Sequence, residues 1–339
     1  MTIKQLLHSG LLSSRQIQFE TGLSQATISR ELTALNDDLV RIKKGRSVYY
    51  TLAQAAFSVG NSIAIFQTAV NGGHQHIANL RPLPKGEFFV QAIIEHFPKP
   101  LLGENANGHF PSLPYFIYDL APQGFIGRQI ARAINSKNDF FPANPKHWSE
   151  QHIGRYLLNE GYDLPGNLTL GQPGLFDKKP LMVTRSDYPK IADEVMSGGI
   201  PGSSAGGEQA KFSAYNTQLK AHVIVKFSPK TNDPISQRWK RLLAAEHQSL
   251  QALIQKDFLS AKTHLIETNE RTYLESIRFD RYGLYGRSSL ISLQAVDMEF
   301  TGTGGSWFDV MQALAQLNLV DAKDVQITEQ LHQYGKKIA

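Results

Sequence analysis

The stretch Val223-Ile224-Val225-Lys226-Phe227 is an apolar strand with one lysine in its middle. A charge placed there is costly unless something pairs with it. The chain offers a partner twenty residues on, at Glu246. From about Ser236 to Gln255 the sequence has the period of an amphipathic helix, with Trp239, Leu242, Leu243, Leu250 and Leu253 on one stripe. Glu246 falls within that stripe, and an acid on a buried face also needs a partner. Lys226 and Glu246 are therefore expected to meet, strand against helix. A purely structural ion pair is the alternative reading of the same two residues.

Upstream lies Ser197-Gly198-Gly199-Ile200-Pro201-Gly202-Ser203-Ser204-Ala205-Gly206-Gly207-Glu208-Gln209. Its five glycines leave backbone N–H groups free to surround phosphate oxygens. No Gly-Lys-Ser/Thr follows, so this is not a P-loop. A linker would have the same composition, and the loop alone decides nothing. Strands are expected at 211–217 and 221–228 after it, and at 263–267 and 271–279 after the helix. Glycine loop, strand lysine and helix glutamate then follow one another in the order of a protein-kinase front lobe, where the lysine meets both the nucleotide phosphates and the glutamate.

At this point the chain resembles a known family. Ser204, Gly207, Gln209 and Lys211 match the Ser-Gly-Gln-Lys spacing of the glycine loop in HipA-family serine/threonine kinases, the toxin partners of toxin–antitoxin pairs. Val225-Lys226-Phe227 is similar to that family's ATP-lysine strand. Glu275-Ser276-Ile277-Arg278-Phe279-Asp280-Arg281 resembles its hinge, with Ile277 where the family has Glu. Leu113-Pro114-Tyr115-Phe116, Leu120-Ala121-Pro122-Gln123-Gly124 and Gly161-Tyr162-Asp163-Leu164-Pro165-Gly166-Asn167-Leu168 resemble three upstream elements. The likeness runs from about residue 60 to 339.

The resemblance implies a protein kinase using ATP and Mg2+. It places Lys226, Glu246, Gly206, Gly207 and Gln209 around the nucleotide, with backbone contacts to adenine at Ile277 and Phe279. It makes Ser204 an autophosphorylation site, with Ser203 as a neighbour able to substitute. A bland alternative is that both serines only satisfy loop N–H groups. The family's protein substrate can be an aminoacyl-tRNA synthetase, and nothing in this sequence selects one.

In that family an Asn-x-Asp-x-His-x-x-Asn loop and a later Asp-Phe/Tyr-Asp motif supply the acceptor-orienting Asp and the magnesium ligands. Neither occurs in these 339 residues, although Leu331 to Ala339 resembles the helix leading into that loop. The expectation is a chain without kinase turnover by itself. Either a separate chain supplies the second lobe, or the scaffold is catalytically dead, cut short by a frame break or purpose-built. Leu331, Tyr334 and Ile338 are expected to leave an apolar helix face exposed.

Residues 1–53 form a different unit. Ile3, Leu6 and Leu7 have helical spacing, a second helix follows Ser13 or Ser14 and ends at Gly22, and Ser24 caps a third from Gln25 to about Leu35. Ile28, Leu32 and Leu35 give that helix its buried face. Leu39 to Ile42 and Ser47 to Thr51 make a hairpin. Three helices and a two-stranded wing describe a winged helix-turn-helix. Gln25, Ala26, Ser29, Arg30 and Thr33 suit a helix read into the major groove of duplex DNA, and Lys43, Lys44 and Arg46 at the wing tip suit phosphates. Seven Lys and Arg against four acids over residues 1–51 give this unit a charge of +3. A small helical unit used for packing or dimerisation is the alternative.

The expected fold class is α+β: the DNA-binding module at 1–53, a HipA-like N-terminal subdomain at 54–190, and a kinase-like lobe with the start of a second at 191–339. The absence of cysteine excludes disulfides and thiolate chemistry. Net charge is +5 and the pI near 9.2, a mild bias that permits nucleic-acid contact. No apolar run of about eighteen residues and no signal-like start are found, so the expectation is a cytoplasmic or nucleoid protein without a membrane partner. His74 and His76 read as a polar turn rather than a metal site. Gly302-Thr303-Gly304-Gly305-Ser306 reads as a turn capping the helix from Trp307. The aromatic residues at 115–118 and Trp239 read as core.

The function that follows is a HipA-like kinase with a DNA-binding domain in the same chain. The alternative is a transcriptional regulator built on a dead kinase scaffold.

Overall fold

The computed structural model describes residues 1–173, 178–198, 209–231 and 233–338, with side chains to residue 335. It is a mixed α+β chain.

In the first group, α1 (Ile3–Leu7), α2 (Ser14–Thr21) and α3 (Gln25–Ala34) pack on a three-stranded antiparallel sheet. Its strands are β1 (Leu12–Ser13), β2 (Leu39–Lys44) and β3 (Ser47–Leu52), in the order β1-β3-β2. Each helix begins where a hydroxyl is available: Thr2, Ser13 and Ser24 accept the N–H of Gln5, Gln16 and Thr27. Gly22 ends α2 at φ +69°, a left-handed conformation that carries no Cβ penalty in glycine. Ile3, Leu7, Ile17, Ile28, Leu32 and Leu52 form the core. Strand β1 was not expected, because two residues carry no period to read. Val40 and Ile42 on β2, with Ala53, pack against Leu83 and Phe89 of the next group. Arg81 reinforces the joint by donating to the carbonyls of Asp37 and Asn61.

The second group has an antiparallel sheet of β4 (Ile63–Thr68), β5 (His74–Pro82), β6 (Phe88–Ala92), β7 (His109–Phe110) and β8 (Leu168–Leu170), in the order β7-β6-β5-β4-β8. Helices α4 (Tyr115–Tyr118), α5 (Gly124–Asn135) and α6 (Glu150–Asn159) pack with it around one large core. The turn expected through His76 is shorter: β5 already begins at His74. His74 Nδ1 lies 2.9 Å from Thr68 Oγ1, and the His76 ring lies over Phe66. Polar residues at the outer end of a hairpin hide its alternation. Tyr115, Phe116 and Ile117 are core as expected, but Tyr118 is 50% exposed because it faces a cleft.

The third group has a five-stranded sheet ordered β12-β13-β11-β10-β9. It comprises β9 (Met182–Val183), β10 (Lys211–Asn216), β11 (Ala221–Phe227), β12 (Thr263–Glu267) and β13 (Thr272–Ile277). Helix α7 (Tyr188–Met196) covers one face through Tyr188, Ile191, Ala192 and Val195. Helix α8 (Pro234–Ile254) packs against β11, β12 and β13. On α8 the stripe is corrected by one residue. Leu243 is fully buried, while Leu242 is 45% exposed, since the helical period aligns 239, 243, 246, 250 and 253 and turns 242 aside.

A short hairpin of β14 (Arg281–Tyr282) and β15 (Gly286–Arg287) leads to α9 (Leu293–Phe300), α10 (Trp307–Gln316) and α11 (Ala322–Ile338). Ala295 of α9 is buried in the core of the second group. Ser306 caps α10 in a capping box with Asp309, as the turn reading required. Leu331 and Tyr334 are half-buried, Tyr334 beside the Phe258 ring at 6.4 Å, so these two are not the exposed face expected; the Ile338 side chain lies outside the described residues. No helix among the described residues is long and apolar enough to cross a membrane.

Candidate functional site

Strand β11 and helix α8 bring Lys226 and Glu246 together, Nζ to Oε1 at 2.5 Å. The side chains keep 25% and 36% of their exposure, so the pair is reachable from solvent. In register, Lys226 lies opposite Lys211 on β10 and Leu274 on β13, so all three share the sheet face that α8 covers. Lys211 is buried. A second lysine in register on the neighbouring strand adds positive charge to this face. Gln209, two residues before Lys211, has its side-chain Nε2 buried with no hydrogen-bond partner among the described residues. A buried unpaired donor calls for an acceptor. Gly206, Gly207, Ser203 and Ser204 lie outside the described residues.

The N–H of Ile277 donates to Lys262 O and that of Arg278 to His222 O, each at 2.9 Å. Ile277 therefore has no free N–H for adenine. Phe279 follows the strand with its side chain 68% exposed.

Glu275, one strand position from Leu274, points to the opposite face, under α7. It is wholly buried and is bound by Arg185 at 2.6 Å, by Asn216 Nδ2 at 3.0 Å and by the Tyr188 hydroxyl. Burial alone would raise its carboxyl, but the bonds from Arg185 and Tyr188 hold it below the ordinary range. This acid belongs to the framework.

A second network joins two of the quoted motif segments. Arg278 reaches Asp163 and Asp280 at 2.9 Å each, and Arg281 reaches the same two at 3.2 and 2.5 Å. Arg287 donates to Tyr162 O at 2.9 Å, and Asp280 accepts the Gly166 N–H at 3.0 Å. Burial disfavours both carboxylates, yet the guanidinium groups outweigh it and hold Asp163 and Asp280 below the ordinary range. Beside them, burial pushes His222 down to about 4, and its Nε2 meets Leu284 O at 2.9 Å. The network fastens the segment after α6 to the segment after β13. Periodicity gave no sign of it, because the partners are 115 residues apart.

In the first group Gln25, Ala26, Ser29, Arg30 and Thr33 are all exposed on α3, and Lys43, Lys44 and Arg46 are exposed at the hairpin tip. The Thr33 hydroxyl donates to Ser29 O, and Lys44 Nζ lies 5.9 Å from the Tyr49 ring centre. Docking through Val40 and Ile42 uses the face of β2 opposite Lys43.

Among the described residues no group of three or more His, Asp or Glu could hold a metal ion.

The family model for the middle domain of YjjJ-like toxins matches residues 59–177. The chain is 31% identical to Toxin YjjJ of Escherichia coli (strain K12) over an alignment of 359 residues, which covers 99% of this chain and 76% of that protein.

Proposed function

The chain belongs to the family of YjjJ-like toxins, and from that premise we propose that it is a HipA-like, toxin-type serine/threonine kinase scaffold that binds ATP and carries a winged helix-turn-helix for duplex DNA. The observation that carries the nucleotide half is the half-open Lys226–Glu246 pair at 2.5 Å. Lys226 holds phosphate oxygens and Glu246 fixes its ammonium; Gln209 supplies a further donor, and the loop with Gly206 and Gly207 covers the phosphates. Phe279 provides the backbone contact to adenine. Ser204, or Ser203 beside it, is the residue that accepts phosphate in the family. ATP supplies the transferable phosphoryl group. Among the described residues no group of three or more His, Asp or Glu could hold the Mg2+ that the family uses.

The DNA half rests on the exposure of the α3 residues and of the three wing-tip cations. A protein substrate of the aminoacyl-tRNA synthetase type and a separate chain completing the second lobe remain proposals of the same reading. The alternative is a DNA-binding regulator using the scaffold without turnover.

Titration of the 339-residue chain with ATP should give saturable binding that Lys226→Ala weakens by about tenfold or more, the worth of roughly one charge-assisted hydrogen bond. Equal affinity in the variant would overturn the nucleotide site. Phosphate from labelled ATP should not appear on Ser204; label that disappears with Lys226→Ala would show these residues to be a complete kinase. Binding to a duplex should fall steeply with salt, and Lys43→Ala or Lys44→Ala should each lower the salt slope by about one. An absence of duplex binding at low salt removes the DNA half.

A further inference from the structure

A cleft of about 820 Å3 opens in the second group, between α5, α9 and the loop before Trp148. None of Lys226, Glu246, Gln209, Ile277 or Phe279 lines it, so it is separate from the nucleotide site. Its size lies in the range of small-molecule sites. Two of the aromatic residues in its lining, Trp148 and Tyr115, offer carbon surface, because their polar atoms are already engaged. Trp148 Nε1 donates to Pro142 O at 2.8 Å, and the Tyr115 hydroxyl donates to Pro100 O at 3.1 Å. Tyr118 and Met298 also line the cleft while 50% and 71% exposed, two large apolar side chains left uncovered beside one cavity.

The charged groups of the lining sort by whether they already have work. Asp119 accepts both the N–H and the hydroxyl of Ser292, at 2.7 and 2.6 Å. Glu150 accepts the Leu113 N–H at 2.7 Å and Glu299 accepts the Glu104 N–H at 3.0 Å. Burial raises the carboxyl of Glu299 further from its charged form. All three carboxylates are thus tied to the protein's own donors. Arg128 adds a cation to the wall. Lys146, exposed in the loop before Trp148, lines the cleft with no ion pair among the described residues.

We propose that this cleft binds a small organic anion with a flat apolar body, its ring between Tyr115, Tyr118 and Trp148 and its negative group at Lys146. The site bridges two parts of the chain, since Ser292 and Glu299 belong to the segment that follows the hinge hairpin. Occupancy would therefore hold α9 against the second group.

Two probes of equal ring size decide the matter: 2-naphthoate and 2-naphthylmethylamine, titrated calorimetrically into the full chain. The carboxylate should bind as one molecule per chain and at least about tenfold more tightly than the amine. Lys146→Glu, on the surface and so harmless to folding, should remove about tenfold of the naphthoate affinity and leave ATP binding unchanged. Tyr118→Ala should weaken both probes. Absence of saturable naphthoate binding, equal or tighter binding of the amine, or an unchanged affinity in Lys146→Glu would each overturn the proposal, whatever the ATP titration shows.

Discussion

Two ion-pair systems of the chain behave in opposite ways. Around Asp163 and Asp280, three buried arginines share two carboxylates and several backbone groups. Lys226 meets a single carboxylate, and both partners stay partly open to solvent. Low dielectric makes the first system expensive to break, since removing one member strands the others. Water and mobility make the second cheap to break. A buried network of shared charges marks a joint, whereas a short pair with open sides can still take a ligand.

The contrast fails or sharpens in measurable steps. Asp280→Ala strands Arg278 and Arg281 and should cost about 3–5 kcal/mol in denaturant unfolding. A loss below about 1 kcal/mol would mean that the joint is not where the chain is fastened. Acid should act on the same place. His222 has its pKa lowered from 6.5 to about 4, so the unfolded chain takes up the proton first. Its contribution is whole above the unfolded value and is lost as pH falls from about 6.5 towards 4, up to about 3 kcal/mol. Asp163 and Asp280, also lowered, add to the loss at still lower pH. Unfolding midpoints at neutral and acid pH should lie closer together in His222→Gln than in the parent, and an unchanged separation would exclude this group. Smallest of all, Lys226→Ala should change stability by under about 1 kcal/mol while abolishing most ATP binding. A large stability loss instead would return the pair to the structural reading.

Much of the local architecture was legible beforehand. Ser24, Gly22 and the spacing of Ile28 and Leu32 define the third helix without any tertiary information. The meeting of Lys226 with Glu246 followed from two charges on apolar faces, each lacking a partner. What stayed hidden was either too short or too distant. β1 has two residues; α7 opens with Pro189 beside a glycine-rich run; α9 is eight residues of mixed pattern. The fastening of Asp163 to Arg278 spans 115 residues and has no local periodicity. The cleft beside Lys146 is drawn from 110–153 and 292–299 together, and only the folded chain places these side by side.

The seam formed by Val40, Ile42 and Ala53 against Leu83 and Phe89 has a practical consequence for anyone dissecting the molecule. Scissors placed at residue 53 would pass through a shared greasy patch, not through a tether. The excised piece would carry that patch into water and tend to clump, and its failure to hold DNA would then say nothing about α3. Because Arg81 also grips Asp37 and Asn61, α3 has no swivel of its own: any duplex that the proposed module held would carry the second group along at a set angle.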